Sequence, residues 1–304
     1  TYSTLQYYNF DINDNGTVVH YGTATADYVT DVLTNRAVQF IQGSPPRQPI
    51  FLLYTPTAPH GPATPAPADI GLYASFPNWR PTSFNEADVS DKPSWIKALP
   101  KITASQMTTA DAFHRSQLET LQGLDRGVAA IVAALQQSDR WSNTLIVFLS
   151  DNGLMWGEHR LVNRKICAYE ECIRVPFWVR APGLIARTDT SLVANIDLAP
   201  TIAAWAGLPA PVGVNGMNLL PLIQNPGTAW RTALLIEHLG SGSTATNSSG
   251  VRTSRHLYNE YENGNKELYD LVTDPLQLTN VASKASNAAL VASLKVTLNA
   301  LKLQ

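Results

Sequence analysis

Two short apolar runs that flank a dense polar loop constrain the fold of this chain more than any other feature of its sequence. The first run, residues 145–149, is β-branched and aromatic and has polar neighbours, which predicts a buried strand. The second run, residues 175–179, has the same character and is expected to return to the same sheet. Because loops that connect core strands often carry function, the polar segment between the runs is a candidate site.

The polar segment opens with Ser150-Asp151-Asn152-Gly153 directly after the first run. This order places a carboxylate and an amide oxygen at the carboxyl end of the predicted strand, and the glycine allows a tight backbone turn. Both side-chain oxygens suit a hard cation, although an ordinary aspartate-asparagine turn would have the same sequence. Further polar groups follow in Gly157-Glu158-His159-Arg160, Lys165 and Tyr169-Glu170-Glu171.

The N-terminal part of the chain predicts a hairpin, a helix and a strand. Asn15-Gly16 is typical of the tight turn in a hairpin, here over residues 6–21, and the apolar spacing of residues 27–43 predicts a helix. Residues 50–54 are apolar and predict another buried strand. That strand leads into a proline-rich segment whose stiff backbone would hold His60 beyond the strand end.

The rest of the chain predicts two domains. Residues 71–109 are irregular, and a continuous apolar stripe predicts a helix over residues 111–137 that packs against the sheet. Residues 192–196 predict a strand, and Asp197 is expected to cap the helix that follows. Hairpin-like segments and a final helix predict a small α+β subdomain at residues 228–304, behind a larger domain at residues 1–227.

Charge, hydropathy and cysteine content limit the class of protein. A formal net charge of -2 gives no general attraction to nucleic acid or to an anionic membrane. No apolar run approaches the ~20 residues that span a bilayer. Cys167 and Cys172 lie in one loop, where their spacing implies neither a disulfide framework nor a metal site, and free thiols are compatible with it.

Several short motifs together resemble the sulfatase family, which belongs to the alkaline-phosphatase-like superfamily. They are Ser-Asp-Asn-Gly after an apolar strand, Gly-Glu-His, a lysine four residues before Tyr-Glu-Glu, Ile173-Arg174-Val175-Pro176 and Arg180-Ala181-Pro182-Gly183. The resemblance extends over nearly the whole chain, and the opening Tyr7-Tyr8-Asn9 is most similar to the N-acetylglucosamine-6-sulfatase and arylsulfatase branch. It implies an α/β fold with a mixed central sheet flanked by helices.

The resemblance also implies roles for five residues. Asp151 and Asn152 would be ligands of a divalent metal, usually calcium. Lys165 would contact the sulfate and the leaving oxygen as a point charge, and His60 would lie against the sulfate or donate a proton to the leaving group. His159 would either reach the sugar or only hydrogen-bond its own loop. Three further histidines have no supporting pattern and receive no role: His114, His238 and His256.

One family motif is absent from this chain. Sulfatases carry Cys-x-Pro-x-Arg or Ser-x-Pro-x-Arg, whose first residue becomes formylglycine, and neither Cys167 nor Cys172 stands in that order. The N-terminal pair of aspartates that completes the family's metal site is missing too. We therefore expect a companion N-terminal fragment, an oligomer or an upstream region that supplies them, and an apolar sheet edge where that segment belongs.

Three functional hypotheses follow from these residues. The favoured one is a sulfuric ester hydrolase that removes sulfate from a sulfated carbohydrate or an aryl ester, with calcium and formylglycine. The second is a phosphodiesterase or phosphonate hydrolase of the same superfamily. The third is a non-catalytic glycan-binding protein without a nucleophile. The resemblance suggests an extracellular, periplasmic or lysosome-like location.

Overall fold

The computed structural model describes residues 5–240 and 246–303. The chain divides into two compact units. The first unit comprises Thr1–Trp79 and Ala104–Thr144, and the second comprises Arg80–Thr103 and Leu145–Gln304. Within the described ranges, no helix is both long and apolar enough to cross a membrane.

The first unit begins with the predicted hairpin and helix. Strands β1 (Phe10–Asp14) and β2 (Thr17–Tyr21) pair in antiparallel fashion around a turn in which Asn15 and Gly16 have φ angles of 52° and 94°. A 3-10 turn, Thr25–Asp27, then leads into helix α1, Val29–Gly43. The positive φ angles are accessible to this Asn-Gly pair, so the local sequence determines the register of the hairpin.

Helix α1 packs against the longest helix of the chain, α3, which spans Ala104–Gln137. This helix begins seven residues earlier than its apolar stripe predicted. Gly127 lies where a Cβ atom would come within 2.5 Å of the Thr34 hydroxyl, so the absent side chain permits the close approach of the two helices. Arg126 on the same helix forms a two-pronged ion pair with the buried Asp69.

The prediction of a buried strand at residues 50–54 is wrong. The segment forms no ladder with the described part of the chain, and Phe51 and Leu53 are 66% and 72% exposed. Alternate residues are exposed and half-buried, as in an extended chain whose one face is covered. An apolar sequence can favour an extended backbone, but burial also requires a neighbouring strand.

The second unit contains the two apolar runs that the sequence predicts as sheet partners. Strands β3 (Ile146–Leu149) and β6 (Phe177–Arg180) pair in antiparallel fashion, as predicted. Both strands are half-buried instead of buried, and Trp178 on β6 is 64% exposed. The connection between them contains β4 (Met155–Trp156), β5 (Val162–Arg164) and the short helix α4 (Glu170–Ile173).

Two expectations for residues 192–206 are wrong. Residues 192–196 form no strand, and Asn195–Asp197 is a 3-10 turn before helix α5, Leu198–Trp205. Asp197 occupies the N-cap position of α5, but its buried carboxylate makes no capping hydrogen bond to the helix. It accepts hydrogen bonds from the backbone nitrogens of Ala194 and Met217 and pairs with Arg231 at 2.5 Å. A buried carboxylate requires such partners, and the guanidinium neutralises its charge.

The C-terminal part of the second unit is the predicted antiparallel sheet with a helix. Strands β7 (Ala233–His238), β8 (Ser248–Thr253), β9 (His256–Tyr261) and β10 (Lys266–Asp270) are ordered β10-β9-β8-β7. Helix α7, Ala288–Leu301, covers one face of this sheet. The remaining helical segments are Pro67–Asp69, α2 (Ser94–Lys97), Trp141–Asn143, α6 (Leu220–Gln224) and Ala285–Asn287. The domain boundary predicted at residues 227/228 lies inside the second unit and stays a prediction.

The α/β class that the sequence predicts is confirmed by this mixture of helices and sheets and by the structural relatives described below. The strand pairs of the described residues are all antiparallel. Residues 50–54 and 192–196, which were predicted as strands, form no ladder with the described part of the chain.

Candidate active site

The candidate metal ligands lie directly after strand β3. Asp151 is exposed and Asn152 is half-buried. The Asn152 side-chain nitrogen donates to the Gly153 carbonyl at 2.9 Å, which leaves its Oδ1 atom available as a ligand. Ser150 donates to the Asn152 carbonyl at 2.9 Å, and this bond tightens the turn. The turn therefore presents a carboxylate and an amide oxygen, as the sequence predicts.

Gly153 joins this turn to the loop that carries the other candidate residues. Its backbone nitrogen donates to the Cys172 carbonyl at 2.9 Å, and a Cβ atom on Gly153 would lie 1.9 Å from the Glu171 carbonyl oxygen. No side chain fits in that space. The glycine therefore brings Asp151 and Asn152 against the end of the 157–173 loop.

The two cysteines form a disulfide. Cys167 and Cys172 are bonded, with their Cα atoms 5.9 Å apart. The sequence is compatible with free thiols here, but the structure has none at these two positions. Helix α4 starts between them at Glu170 and turns the chain back, which brings residues five apart within bonding reach. The short covalent ring begins at Cys167, two residues after Lys165.

Lys165 is exposed and follows strand β5 directly. In residues 5–240 and 246–303, no hydrogen bond or ion pair engages its ammonium group. Its position is fixed by the strand before it and by the disulfide ring after it. An exposed, unpaired cation held on a constrained loop is suited to contact an anionic group.

His60 belongs to the first unit, in the proline-rich segment after residues 50–54. Its side chain is exposed, and its Nδ1 atom lies 2.8 Å from the Gly61 carbonyl. Because a carbonyl only accepts, Nδ1 carries the hydrogen and Nε2 remains available. The Tyr7 hydroxyl donates to the His60 carbonyl at 2.8 Å and fixes the backbone. The imidazole is thus oriented, with one nitrogen presented to the surroundings.

His159 is buried, with no accessible surface. Its Nδ1 atom lies 2.6 Å from a Glu86 oxygen, and its ring stacks on Tyr169 with centroids 4.3 Å apart. The Nε2 atom is buried without a hydrogen-bond partner. This environment supports the alternative in which His159 holds its own loop. The substrate-binding role stays a prediction that the position of the side chain does not support.

Glu86 belongs to a buried charged group that sequence reasoning missed. Lys92 has no accessible side-chain surface, and its ammonium lies 3.6 Å from Glu86. It also donates to the Tyr269 hydroxyl at 3.3 Å and to the Gln277 carbonyl. Lys92 and Gln277 are 185 positions apart in the chain, so no local pattern could indicate this group. The group connects residues 86–92 with the C-terminal sheet.

A second buried group lies beside it, around Glu267. The hydroxyls of Tyr169, Tyr261 and Tyr269 all donate to this carboxylate, at 2.5, 2.6 and 2.5 Å. Burial, together with the negative charge of Glu267, raises the pKa of each tyrosine well above its ordinary value. The three hydroxyls therefore stay protonated and can all donate. They tie the 157–173 loop, through Tyr169, to strands β9 and β10.

The two adjacent glutamates of the loop have different environments. Glu170 accepts a two-pronged pair of bonds from Arg252 on strand β8, at 2.7 and 3.0 Å, and its backbone nitrogen donates to the Gln277 side chain at 2.7 Å. Glu171 is largely buried, and its Oε2 atom has no partner. Helix start and ion pair are the roles that adjacent glutamates commonly have, and Glu170 has both.

The donor set fits a hard cation in kind but supplies few ligands. The side chains of Asp151 and Asn152 offer at most about three oxygens, two from the carboxylate and one from the amide, while calcium takes about six to eight. The described residues contain no cluster of three or more His, Cys, Asp or Glu side chains that could hold a metal ion. The turn after β3 can thus contribute part of a coordination sphere.

Comparisons with known proteins identify the family to which this chain is similar. The Sulfatase family model matches residues 1–208, and the model described as N-sulphoglucosamine sulphohydrolase, C-terminal, matches residues 157–304. The N-acetylglucosamine-6-sulfatase of Homo sapiens is 31% identical over 315 residues, which cover 91% of this chain and 57% of the human protein. The putative extracellular sulfatase Sulf-1 homolog of Caenorhabditis elegans is 34% identical over 246 residues, which cover 76% of this chain and 35% of that protein.

The fold agrees as well. The solved structure of BT4656 in complex with its substrate D-glucosamine-2-N,6-O-disulfate superposes with a TM-score of 0.82 at 23% identity, over 97% of this chain and 72% of that one.

The chain spans between about a third and three fifths of the length of the two curated relatives named above. A family model that matches over two thirds of the chain, with relatives above 30% identity, establishes that this chain belongs to the sulfatase family.

Proposed function

We propose that the natural protein containing this chain hydrolyses a sulfate ester of a sugar or an aryl alcohol. The observation that carries the proposal is the loop between β3 and β6. It combines the side-chain oxygens of the exposed Asp151 and the half-buried Asn152 with the exposed, unpaired Lys165, which precedes a chain segment closed by a disulfide. Membership of the sulfatase family supports the same chemistry.

Each of these groups has a use in sulfuryl transfer, where negative charge builds on the sulfate and the leaving oxygen. Lys165 contacts the sulfate as a point charge. The role proposed for His60 is to lie against the sulfate or, in its imidazolium form with both ring nitrogens protonated, to donate the Nε2 proton to the leaving oxygen. Asp151 and Asn152 hold calcium, which supplies further positive charge when bound. This chemistry also requires formylglycine, and residues 1–304 contain no Cys-x-Pro-x-Arg or Ser-x-Pro-x-Arg motif that would encode it.

The preferred substrate in this proposal is a sulfated hexosamine, and the location is outside the cytosol. Relatives named as N-acetylglucosamine-6-sulfatase and extracellular sulfatase support both points. The Cys167–Cys172 disulfide supports the location independently, because disulfides persist in oxidising compartments. A phosphonate hydrolase is less well supported. Asn152 follows the aspartate at a position where relatives of that class often have histidine, and the matching family model is that of sulfatases.

The test is sulfate release by the natural full-length protein, measured before and after calcium is removed with a chelator. We expect the Lys165→Ala variant to lose about 100- to 1000-fold in kcat, the range for removal of one electrostatic contact to the transition state. Lys101 is another exposed lysine of the second unit, so Lys101→Ala is the matched control and keeps the activity of the wild type.

Unchanged turnover by the Lys165→Ala variant would remove this residue from the mechanism. Faster release of phosphate or phosphonate than of sulfate, by the same preparation, would favour the alternative hydrolase. Binding of a sulfated sugar with no release of either anion, in a protein that carries formylglycine, would contradict catalysis and favour a glycan-binding protein.

A further inference from the structure

A small cavity lies beside Lys165, and none of the residues that form its far wall has been given a role so far. It has a volume of about 190 Å³. One wall is the loop of Lys165, Ile166 and Cys167, and the other is the end of strands β7 and β8, with Ile236, His238 and Ser248. The cavity lies entirely within the second unit.

The β-sheet geometry fixes which side chains face this cavity. Ile236 and His238 are two positions apart on β7 and so share one face of the sheet. Ser248 on β8 is paired directly with His238, so it lies on that face too. Ile236 packs against the buried cluster that includes Tyr169, which identifies this face as the one toward the 157–173 loop.

The side chain of His238 is sterically confined, but among the described residues its ring nitrogens have no hydrogen-bond partner. In the described ranges, 5–240 and 246–303, its imidazole takes part in no hydrogen bond and no ion pair. The ring lies so close to the backbone of Gly240 that a Cβ atom there would be 2.8 Å from Nε2. The ring is therefore confined by its own turn while its polar atoms remain available, half-buried, at the edge of the cavity.

The opposite wall is also rigid. The disulfide closes the chain around Cys167, and the two-pronged bond from Arg252 holds Glu170 against β8. The Tyr169 hydroxyl binds Glu267 on β10 at 2.5 Å. Since both walls are anchored to the same C-terminal sheet, the cavity exists before any ligand arrives, which lowers the entropic cost of binding.

The chemistry of the lining suits a single sugar ring. Ile166, Ile173 and Ile236 provide apolar surface, and the polar lining residues are Lys165, Glu237, His238 and Ser248. A pyranose has the matching character, because its C–H face is apolar and its rim consists of hydroxyls. The volume is below the range of about 300–1,000 Å³ that is typical for drug-sized ligands, so one ring is the appropriate size.

We propose that this cavity binds the pyranose ring that carries the sulfate, and that His238 recognises it by a hydrogen bond to a ring substituent. The inference rests on the proposed function, in which Lys165 contacts the sulfate. It makes His238 a residue that determines specificity for a sugar over a simple aryl group. It also gives the C-terminal sheet a direct part in substrate choice.

The experiment compares two substrates in the natural full-length protein, glucosamine 6-sulfate and 4-nitrophenyl sulfate. The His238→Ala variant is expected to lose about 10- to 100-fold in kcat/KM for the sugar, the cost of an unmade hydrogen bond in a site built for it, and to change little with the aryl ester. His238→Gln keeps a hydrogen-bonding side chain and is expected to recover part of the loss. His20→Ala, an exposed histidine of the first unit, is the control.

An equal loss with both substrates, or no loss with the sugar, would overturn the proposal. A second readout does not depend on catalysis: saturation-transfer NMR of N-acetylglucosamine, which has no sulfate, bound to the wild type and to each variant. Binding that the His238→Ala change abolishes and the Lys165→Ala change leaves in place supports the cavity even if no sulfate is released. Binding that is unaffected by His238→Ala refutes it even in an active sulfatase.

Discussion

Glu170 and Glu171 show how much the environment of a single residue depends on the rest of the fold. They are neighbours in the chain, but Glu170 is paired with Arg252 while the Glu171 Oε2 atom is buried without a partner. Burial raises the pKa of Glu171 above its ordinary value of 4.5, against a smaller lowering by its own backbone and by His159. The folded chain therefore binds the Glu171 proton more tightly than the unfolded chain does.

The pH dependence of stability follows from this difference. A raised pKa in the folded state contributes stability below pH 4.5, and that contribution is lost as the pH rises through the folded-state pKa. The neutral Glu171→Gln variant is therefore expected to increase the free energy of unfolding by about 1 kcal/mol at pH 7, with little difference from wild type at pH 4.

Urea unfolding at a series of pH values measures this effect, with Glu262→Gln, an exposed glutamate, as the control. A Glu171→Gln variant that is less stable than wild type at pH 7, or a difference that does not change with pH, would contradict the assigned environment.

Among individual residues, the sequence predicted the positions of those that are placed by their neighbours in the chain. It missed the residues that are placed by contacts with distant parts of the chain. Asp151 and Asn152 follow a strand, and strand ends are recognisable from local apolar patterns. His159 looks equally polar in sequence, but its position depends on Glu86, which is 73 residues away. That contact exists only after the chain has folded, so the burial of His159 could not be predicted.

At the scale of elements, the loop that carries Lys165 is anchored to the C-terminal sheet by a largely buried ion pair. The contact between Glu170 on α4 and Arg252 on β8 has side chains only 14% and 17% exposed, so solvent screens it weakly. Such a bond links two elements that are 82 residues apart in the chain. It is a candidate for a large coupling energy between loop and sheet.

A double-mutant cycle with Glu170→Ala and Arg252→Ala measures that coupling in urea unfolding. We expect about 1.5–3 kcal/mol, the range for hydrogen bonds to charged groups. The pair of Arg255 and Asp270 is the comparison, because Arg255 is 58% exposed and such pairs contribute about 0–1 kcal/mol. Equal coupling energies for the two pairs would mean that burial does not strengthen the inner one.

Helices were predicted better than strands, for a physical reason. The apolar stripe of α1 needs only one covering surface, and its predicted bounds differ from Val29–Gly43 by two residues at the start. Residues 50–54 and 192–196 have the composition of strands, but a strand exists only where another backbone accepts its hydrogen bonds. Composition specifies the preference for an extended chain, and tertiary structure decides whether a partner is present.

At the scale of the whole molecule, each unit has a core of its own. In the first unit, Tyr7, Tyr28 and Val32 belong to one buried cluster; in the second, Tyr169 and Leu257 belong to another. Both cysteines of the disulfide belong to the second unit. The effect of breaking it should therefore be confined to that unit.

Replacement of both Cys167 and Cys172 by alanine tests this expectation. Closure of so short a ring contributes about 2 kcal/mol on chain-entropy grounds. Hydrogen-exchange mass spectrometry should show faster exchange in β7–β10 and in the 157–173 loop, with no change in α1. Treatment of the wild type with a reductant should reproduce the effect and should leave the variant unaltered. Faster exchange in α1 would show that the two units unfold together.

The burial of Lys92 has a practical consequence for anyone who follows the opening of the second unit. Its amine has no accessible surface and lies among Glu86, Tyr269 and Gln277, whereas lysines such as Lys101 and Lys165 are exposed. An amine-reactive acylating reagent will therefore modify the exposed lysines first and reach Lys92 only when this unit opens. The extent of acylation at Lys92, measured over time by peptide mass spectrometry, therefore reports how fast the second unit opens.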